Sequence, residues 1–376
     1  MDTAKVTEGP TSLQVGSDAI GEEGPAEVGQ GFYNPAMAIT RDLTVLAAKA
    51  FQPPQRPEFL DGLAAAGARG LRVANETEDW WVTLNDRARR TAKLAQANVE
   101  GLGLTDRVVT RSRELTALLA EGSWAFVEVD PYGSPVAFLG PALRGVDDGG
   151  LVAFTATDAT ALHGVDAKPA RRRYLAEPPP RHAPGWKEAA ARLLVGAIVR
   201  EAARHDRAAE PVLVHTHQHA FRVYVRVEDG ARAADRALGQ VDEVVLCPEC
   251  YTWGRQACAC GQGSPTGPYK LGPLHDEDLL AGMRQAAERA RLAEPQATAT
   301  LLERLAGEAR MGPFFLDVDR ALEARGLGSP PPREDLRAAL AEAGIATERS
   351  HYGPTRLAYE GDPDEALAVL DELATR

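Results

Sequence analysis

Long apolar runs, a positive charge excess and scattered cysteines are all missing from this chain of 376 residues. No stretch of about 18 or more apolar residues occurs, so no membrane-spanning helix is expected. Net charge is −12 at pH 7, which excludes a global field that attracts nucleic acid. Any RNA contact must come from local basic patches. The N-terminal stretch is polar and acidic and lacks the basic-then-apolar pattern of a signal peptide. The expected location is therefore the cytoplasm, with no membrane partner and no obligatory protein partner. Nothing resembles a P-loop, and no internal repeat is visible. Only four cysteines are present. All fall between Cys247 and Cys260, which argues for a metal site rather than scattered disulfides.

What is present suffices for folding. Apolar residues make up 44% of the chain, enough for one large domain and a smaller one, each with its own core. Residues 1–30 are rich in Gly, Glu and Pro; a hairpin is expected from Thr7 to Val15 and a loop after it. Apolar spacing at Met37, Leu43, Leu46, Ala47 and Ala50 predicts a helix over 37–51 that Pro53-Pro54 and Pro57 end. Strands are then expected at Phe59–Asp61, Trp81–Leu84, Val108-Val109, Trp124–Val129 and Gly150–Thr155. Helical stretches lie between them, near 87–100 and 136–144. That alternation implies a doubly wound, mostly parallel α/β sheet. A long helix from Trp186 to His205 precedes two more strands, Pro211–His215 and Phe221–Val227. Antiparallel final strands of this kind are usual in class I methyltransferases and would distinguish this sheet from that of a Rossmann dehydrogenase. The chain is expected to divide into a catalytic unit, 1–230, and a smaller C-terminal α+β unit, 231–376. The latter holds helices near 276–293, 298–308 and 334–344, then strands over 346–359 and a helix over 364–373, in a winged-helix-like or α+β form.

Four constellations carry chemistry. The first is the turn Asp61-x5-Gly67-x-Arg69-Gly70, which follows a strand and opens a helix. Its small residues let a cofactor approach the backbone. It is not the dinucleotide fingerprint, and a plain tight turn is the alternative. Asp86, at the end of the next strand, is placed to bond ribose hydroxyls. Turn and acid together favour a nucleoside cofactor.

The second is Asp130-Pro131-Tyr132-Gly133-Ser134-Pro135, directly after an apolar strand. Ligands in open α/β sheets bind beyond the carboxyl ends of the strands. A carboxylate and the Pro131 carbonyl there can face a flat, amine-bearing ring. An exocyclic base amine is a poor nucleophile, and a carboxylate that accepts its N–H hydrogen bond improves it. Capping of the following helix is the alternative role for Asp130. Phe32, Tyr33 and Tyr132 can stack on a flipped base or on adenine, with core packing the alternative for Phe32.

Third, Cys247-x2-Cys250-x7-Cys258-x-Cys260 can surround one tetrahedral zinc with no open position, so the role would be structural. Two disulfides or a vestigial site are the alternatives. Fourth, Lys168, Arg171, Arg172, Arg173, Arg181 and Lys187 flank Pro178-Pro179-Pro180 in what reads as a phosphate-binding loop or a solvated charged one. Alternation would place His215, His217 and His219 on one strand face. No carboxylate pair completes a metal site there, so solvated or RNA-facing histidines are expected.

Together these blocks resemble the archaeal and eukaryal tRNA (guanine-26) N2-dimethyltransferases. The resemblance rests on Thr7-Glu8-Gly9, Gly31-Phe32-Tyr33-Asn34-Pro35-x-Met37-x3-Arg41-Asp42, and Asp61 through Arg72. Leu84-Asn85-Asp86, the Asp130 corner, Thr155-Ala156-Thr157-Asp158, Arg173-Tyr174-Leu175, Leu194-Val195-Gly196 and Gly272-Pro273-Leu274 extend it. It implies a class I fold that uses S-adenosyl-L-methionine to methylate the exocyclic amine of one tRNA guanine. Arg41 and Phe32 would then meet the cofactor, Arg69 and the Gly67 turn would line its pocket with Asp61, and Asp86 would bind its ribose. Asp130, with Pro131, would be catalytic, and residues 231–376 would dock tRNA. Two stretches depart from the family pattern. Ser112-Arg113-Glu114 stands where an Asp-Ala-Asn-like stretch meets adenine, and Ala358-Tyr359 replaces a Lys-Thr pair. Two rival readings stay open on the residues alone. One is an adenine-N6 or other amino-methyltransferase on DNA or RNA. The other is a non-enzymatic, zinc-stabilised RNA-binding protein on a relict methyltransferase fold.

Overall fold

The computed structural model describes residues 2–21 and 31–375. The chain opens with an antiparallel hairpin, β1 (Thr3–Glu8) and β2 (Thr11–Gly16), paired from Thr3↔Gly16 to Glu8↔Thr11. It contains and exceeds the expected hairpin; the loop expected after it falls partly on 22–30, outside the described residues. Glycine is required at position 9: its φ is +54°, and a Cβ there would lie 2.3 Å from the Arg291 carbonyl oxygen. Next come α1 (Ala38–Ala50), β3 (Glu58–Asp61), α2 (Ala68–Glu76), β4 (Trp81–Asn85), α3 (Arg89–Gly101), β5 (Val108–Arg111) and α4 (Leu115–Glu121). They are followed by β6 (Trp124–Val129), α5 (Val136–Arg144), β7 (Val146–Ala156), α6 (Ala159–Leu162), α7 (Ala167–Tyr174) and α8 (Trp186–Ala203). The hairpin β8 (Arg207–His217) and β9 (Ala220–Asp229) completes a seven-stranded sheet of order β5-β4-β3-β6-β7-β9-β8.

β6 is apolar apart from Glu128 and buried at every position, because helices cover both faces of the sheet. β3 and β6 lie side by side at the centre, and the strand order reverses there. The crevice at their carboxyl ends is where doubly wound sheets bind ligands. Only β9 runs against the sheet: it is antiparallel to both β7 and β8, so β8 runs with the rest. The final strands are thus antiparallel, as expected, with β9 the reversed one. The two-residue turn Gln218-His219 sends the chain back between β7 and β8. Residues 167–174, expected within a basic loop, form α7, whose start is capped by Asp166.

One sheet face packs Val127, Val129, Val152 and Phe154 against α4, α5 and α8. The other packs Phe59, Phe126, Leu151 and Ala153 against α1, α2 and α3. Beyond residue 230 the chain contributes to three places. α9 (Ala231–Leu238) precedes a small sheet, β11-β10-β12, built from β10 (Val241–Leu246), β11 (Trp253–Gly254) and β12 (Pro265–Lys270). That sheet lies on α8, where Gly196 admits β12: a Cβ there would sit 2.8 Å from the Pro268 carbonyl oxygen. α10 (Glu277–Ala287) and α11 (Pro295–Glu308) join the second core through Leu279, Leu280, Met283, Leu302 and Leu305.

The last unit runs β13 (Leu316–Asp317), α12 (Val318–Arg325), α13 (Arg333–Glu342), β14 (Ala346–Arg349), β15 (Arg356–Glu360) and α14 (Pro363–Ala374). Its core is separate, built on Leu322, Leu336, Leu340, Leu357 and Leu367. The sheet order β13-β15-β14, with two helices between its first and second strands, is that of a winged helix. Among the described residues, no helix is long and apolar enough to cross a membrane.

Candidate active site

The strand ends are tied together before any ligand is considered. Asp61, the last residue of β3, accepts a hydrogen bond from the Gly70 amide in the first turn of α2 at 2.9 Å. Gly67 enters that helix at φ +88°, the left-handed region that favours glycine. A Cβ on Gly70 would lie 2.3 Å from the Leu84 side chain, so only glycine lets α2 sit this close to β4. Asp86 accepts from the amides of Ala88 at 2.8 Å and Ala65 at 3.2 Å, which fixes its carboxylate beside the turn. Asn85 donates to the Gly62 carbonyl at 3.0 Å and accepts from the Arg113 amide at 3.0 Å. The ends of β3, β4 and β5 are thereby joined. Ser112 donates to the Arg87 carbonyl at 3.2 Å, and the Arg113 guanidinium turns to Glu121 at 2.6 Å. Ser112 and Arg113 thus sit on this rim by their backbone, with the Arg113 charge directed at α4.

The Asp130 corner is pinned to the end of β7 by two hydrogen bonds. Thr157 accepts from the Gly133 amide and its own amide donates to the Gly133 carbonyl, each at 2.8 Å. Asp130 does not cap α5, whose N-cap is Pro135 without a side-chain bond. Its carboxylate, 35% exposed, accepts from Arg69 Nη2 at 2.8 Å. Pro131 is partly exposed and Tyr132 is 50% exposed. The Phe32 ring meets Tyr132 edge-on, 5.5 Å between centroids. Burial, then the charges of Asp130 and Asp86, push the Tyr132 phenol up to about 12.

Two arginines and two acids lie beneath. Glu128 of β6 and Arg222 of β9 are wholly buried and paired through both carboxylate oxygens. Arg222 also donates to Thr155, to Tyr224 at 2.8 Å and to Thr44 at 3.3 Å. Arg69 bridges the pair, 3.6 Å from Glu128 and 2.8 Å from Asp130, and donates to Thr44 at 2.9 Å. Burial raises the Asp130 pKa, but the charges of Arg69 and Arg222 and the bond from Arg69 outweigh it, so the net shift is downward. Asp61 moves the other way: desolvation, then the charge of Glu128, raises its carboxyl to about 7. Neighbouring carboxyls pushed apart in this way mark a functional site.

Arg41 is buried and committed to Glu8 on the hairpin, with Nε at 2.8 Å from Oε2 and Nη2 at 2.8 Å from the Asn34 carbonyl oxygen. Its guanidinium lies over the Tyr33 ring, 4.9 Å from the centroid. Arg41 thus orients the segment that carries Phe32. α7 is anchored to the same corner: Tyr174 bonds Asp158 at 2.7 Å and Ser134 at 2.9 Å, and Arg173 pairs with Asp158 at 3.0 Å. Arg171 pairs with Glu177 at 2.6 Å, while the Lys168 and Arg172 side chains are exposed.

The histidines separate. His215 is wholly buried on β8, not solvated, and burial holds its pKa well below the usual imidazole range. His217 contacts the Ala36 carbonyl at 2.9 Å, and His219 lies exposed in the turn beyond β8. The cysteines converge: the sulfurs of Cys247, Cys250, Cys258 and Cys260 all lie within 4.8 Å of one another. Cys260 Sγ is 3.4 Å from Cys247, 3.3 Å from Cys258 and 3.7 Å from Cys250. Disulfide sulfurs sit about 2.05 Å apart, whereas Zn–S bonds of about 2.3 Å in a tetrahedron hold sulfurs about 3.8 Å apart. The donor set fits a closed metal site.

Residues 18–370 match the family described as N2,N2-dimethylguanosine tRNA methyltransferase. The chain belongs to this family. It is 36% identical over 386 residues to the tRNA (guanine(26)-N(2))-dimethyltransferase of Methanopyrus kandleri, covering 100% of this chain and 98% of that one. Identity to the Thermococcus kodakarensis enzyme of the same name is 34% over 340 residues, covering 86% and 88%. Among solved structures, Trm1 from Pyrococcus horikoshii in complex with S-adenosyl-L-methionine superposes with a TM-score of 0.85 and 28% identity, over 98% and 99% of the two chains.

The family comparison places a class I methyltransferase sheet behind this crevice. Glu128 and Arg222 were not singled out from the sequence, and Glu8 entered only within the Thr7-Glu8-Gly9 block, without a role. A signal existed for one of them: Glu128 is the single charge in the otherwise apolar run of β6.

Proposed function

We propose that the chain is a tRNA (guanine-26-N2)-dimethyltransferase that transfers methyl groups from S-adenosyl-L-methionine to the exocyclic N2 of a tRNA guanine. The observation that carries this reading is the Asp130 carboxylate, part-exposed and fixed by Arg69 at 2.8 Å, at the strand-end crevice of a family fold. The residues fit the cofactor: Gly67 and Gly70 leave a turn without side chains, and the part-exposed Asp86 carboxylate retains acceptors for ribose hydroxyls. Asp61, Arg69, Ser112 and Arg113 border that pocket, and Arg41 supports it through the Phe32 segment. When bound, the cofactor supplies an electrophilic methyl group on a sulfonium.

The Asp130 carboxylate accepts one N2–H hydrogen bond and the Pro131 carbonyl accepts the other. This turns the nitrogen lone pair toward the methyl donor and raises its nucleophilicity. With its pKa held down, Asp130 is an ionised acceptor that orients the amine, and the proton passes on to water. Phe32 and Tyr132 flank the flipped base.

On the RNA side, Lys168, Arg171, Arg172 and Arg173 on α7 meet phosphates, since α7 is tied to the catalytic corner by Tyr174. Residues 1–230 form the catalytic unit, braced by α10 and α11, and residues 231–376 carry the tRNA-docking surface. The four cysteines hold a structural Zn2+. The enzyme works in the cytoplasm, where its tRNA substrate is found. The test is methyl transfer from labelled S-adenosyl-L-methionine to a tRNA transcript, with nucleoside analysis and a control transcript carrying adenine at position 26. N2,N2-dimethylguanosine that vanishes in the control is expected. Transfer that persists in the control moves the target, and no transfer to any tRNA overturns the reading.

A further inference from the structure

We propose that the buried Tyr33 hydroxyl, through its hydrogen bond to Glu8, is the positioning group that sets the Phe32 ring beside the target guanine. The inference rests on the methyltransferase reading above and on Phe32 as one wall of the base site. From the sequence, Tyr33 reads as a stacking ring like Phe32. The structure turns it inward instead: Tyr33 is 6% exposed and packs with Leu13, Val15 and Ala66. Its hydroxyl donates to Glu8 Oε1 at 2.6 Å.

The segment that carries both rings reaches from the cofactor turn to the catalytic corner. Ala66 precedes Gly67 in that turn, and a Cβ on Gly31 would lie 3.8 Å from the Ala66 Cβ. Gly31 and Tyr33 therefore rest on the turn. Phe32, between them, is part-exposed and meets Tyr132 at 5.5 Å between ring centroids. Tyr33 forms a parallel β-bridge with Ile20. Neighbouring side chains on such backbone point to opposite sides. An inward Tyr33 thus goes with an outward Phe32, and the two orientations do not change independently.

Backbone bonds locate this segment without fixing its tilt. The Tyr33 amide donates to the Ala19 carbonyl at 3.0 Å, and its carbonyl accepts from the Gly21 amide at 3.2 Å. The side-chain bond sets the tilt, because Glu8 is itself held from two helices. Glu8 accepts from Arg41 Nε of α1 at 2.8 Å and from Arg72 Nη1 of α2 at 3.2 Å. Burial raises its carboxyl, but the Arg41 bonds and charge, with Tyr33 and Arg72, outweigh this and hold it at about 2. Burial and the Glu8 bond push the Tyr33 phenol up to about 12, so the hydroxyl keeps the proton it donates. A hydrogen bond to an ionised acceptor is short and directional. Groups that hold a reacting base have to be placed within about 0.5 Å for the chemistry to run at full rate.

The test is a double-mutant cycle in the full-length enzyme with a tRNA transcript: Tyr33→Phe, Phe32→Ala and the two combined. Phenylalanine at 33 keeps the packed ring and leaves Glu8 with both arginines, so the fold is retained. Tyr33→Phe is expected to lower kcat about tenfold, with cofactor Kd and tRNA KM each within about threefold of wild type. That split separates a misplaced base from a loosened fold, which would weaken binding as well. Phe32→Ala is expected to be at least as slow. The combined variant is expected to be slower than Phe32→Ala by no more than about twofold, because the hydroxyl acts only through that ring.

Tyr33→Phe with wild-type kcat overturns the proposal. A combined variant slowed by the product of the two single losses overturns it too, since Tyr33 would then act independently of Phe32. So does a loss that appears in cofactor Kd with kcat intact. Phe32→Ala separates the readings. If it is fully active, the placement of Phe32 at the base is wrong; if it is slow while Tyr33→Phe is normal, only the Tyr33 role falls. Wild-type enzyme that transfers no methyl group to tRNA overturns the methyltransferase reading itself, and this proposal with it.

Discussion

Asp86→Ala is expected to weaken S-adenosyl-L-methionine binding and to leave the chemical step nearly untouched. The carboxylate is fixed by the Ala88 and Ala65 amides at 2.8 and 3.2 Å, yet remains part-exposed at the end of β4. A hydrogen bond to a charged group contributes about 1.5–3 kcal/mol, so the loss corresponds to about 10- to 150-fold in Kd. Asp86→Asn keeps the acceptor that holds the Ala88 amide and loses the charge, so it is expected to fall at the lower end. Calorimetry gives the affinity directly, and thermal shift checks it. At a cofactor concentration of 100 times the wild-type Kd, binding stabilises the native state by about 2.7 kcal/mol. For a variant that binds 100-fold more weakly, the same concentration gives RT ln 2, about 0.4 kcal/mol, and the thermal shift nearly disappears. At saturating cofactor, kcat is expected within about threefold of wild type. Unchanged affinity would refute the ribose assignment. A collapse of kcat with affinity intact would place Asp86 on the base side of the crevice.

Three further outcomes are expected. The Asp61 carboxyl, raised to about 7 by desolvation and Glu128, keeps its proton in the fold where the unfolded chain has lost it. Its stabilising contribution is therefore full below about pH 4 and is lost as pH rises to about 7. Asp61→Asn cannot ionise, so its Tm relative to wild type should rise between about pH 5 and pH 8; an equal difference at both refutes the shift. Stripping zinc with a chelator should lower Tm and open residues 316–374 to protease, because Trp253, between the cysteines, bonds Tyr359 of the last unit at 2.9 Å. The cofactor Kd should not move; metal analysis that finds no zinc sinks the site. Lys168→Ala with Arg172→Ala should flatten the salt dependence of tRNA affinity by about two in slope, without altering cofactor binding. An unchanged slope removes α7 from the RNA interface.

Much of this molecule was legible in the chain. β6 and α5 have the bounds that the apolar run and the following helix gave, because a strand buried on both faces carries its own signature. The Asp130 corner and the four cysteines were visible as local blocks, and the structure brings each set together. What escaped depended on partners distant in sequence. Glu128 and Arg222 are unremarkable singly; their pairing needs the register of β6, β7 and β9. α7 was read as a loop because Lys168–Arg173 has no apolar period, and its order comes from the Asp166 cap and the Tyr174 anchor. The reversal of β9 alone is set by a two-residue turn that no hydrophobic pattern reveals. His215 read as solvated because alternation shows a face but not what covers it.

Asp42, deep in α1, makes the chain's first helix dependent on its last third. It pairs with Arg72 at 2.6 Å and accepts from the amides of Ala293 at 3.0 Å and Glu294 at 2.8 Å and from the Thr298 hydroxyl at 3.2 Å. The contacts to Ala293, Glu294 and Thr298 span 251 to 256 residues, so they form only after most of the chain has left the ribosome. Until then, the wall that carries Arg41 and Thr44 has a buried acid short of donors and an uncovered apolar face. A fragment cut after residue 230 would keep every residue of the crevice and still lack the clasp that closes it. The methyl-transfer site is finished last, although its residues are made first.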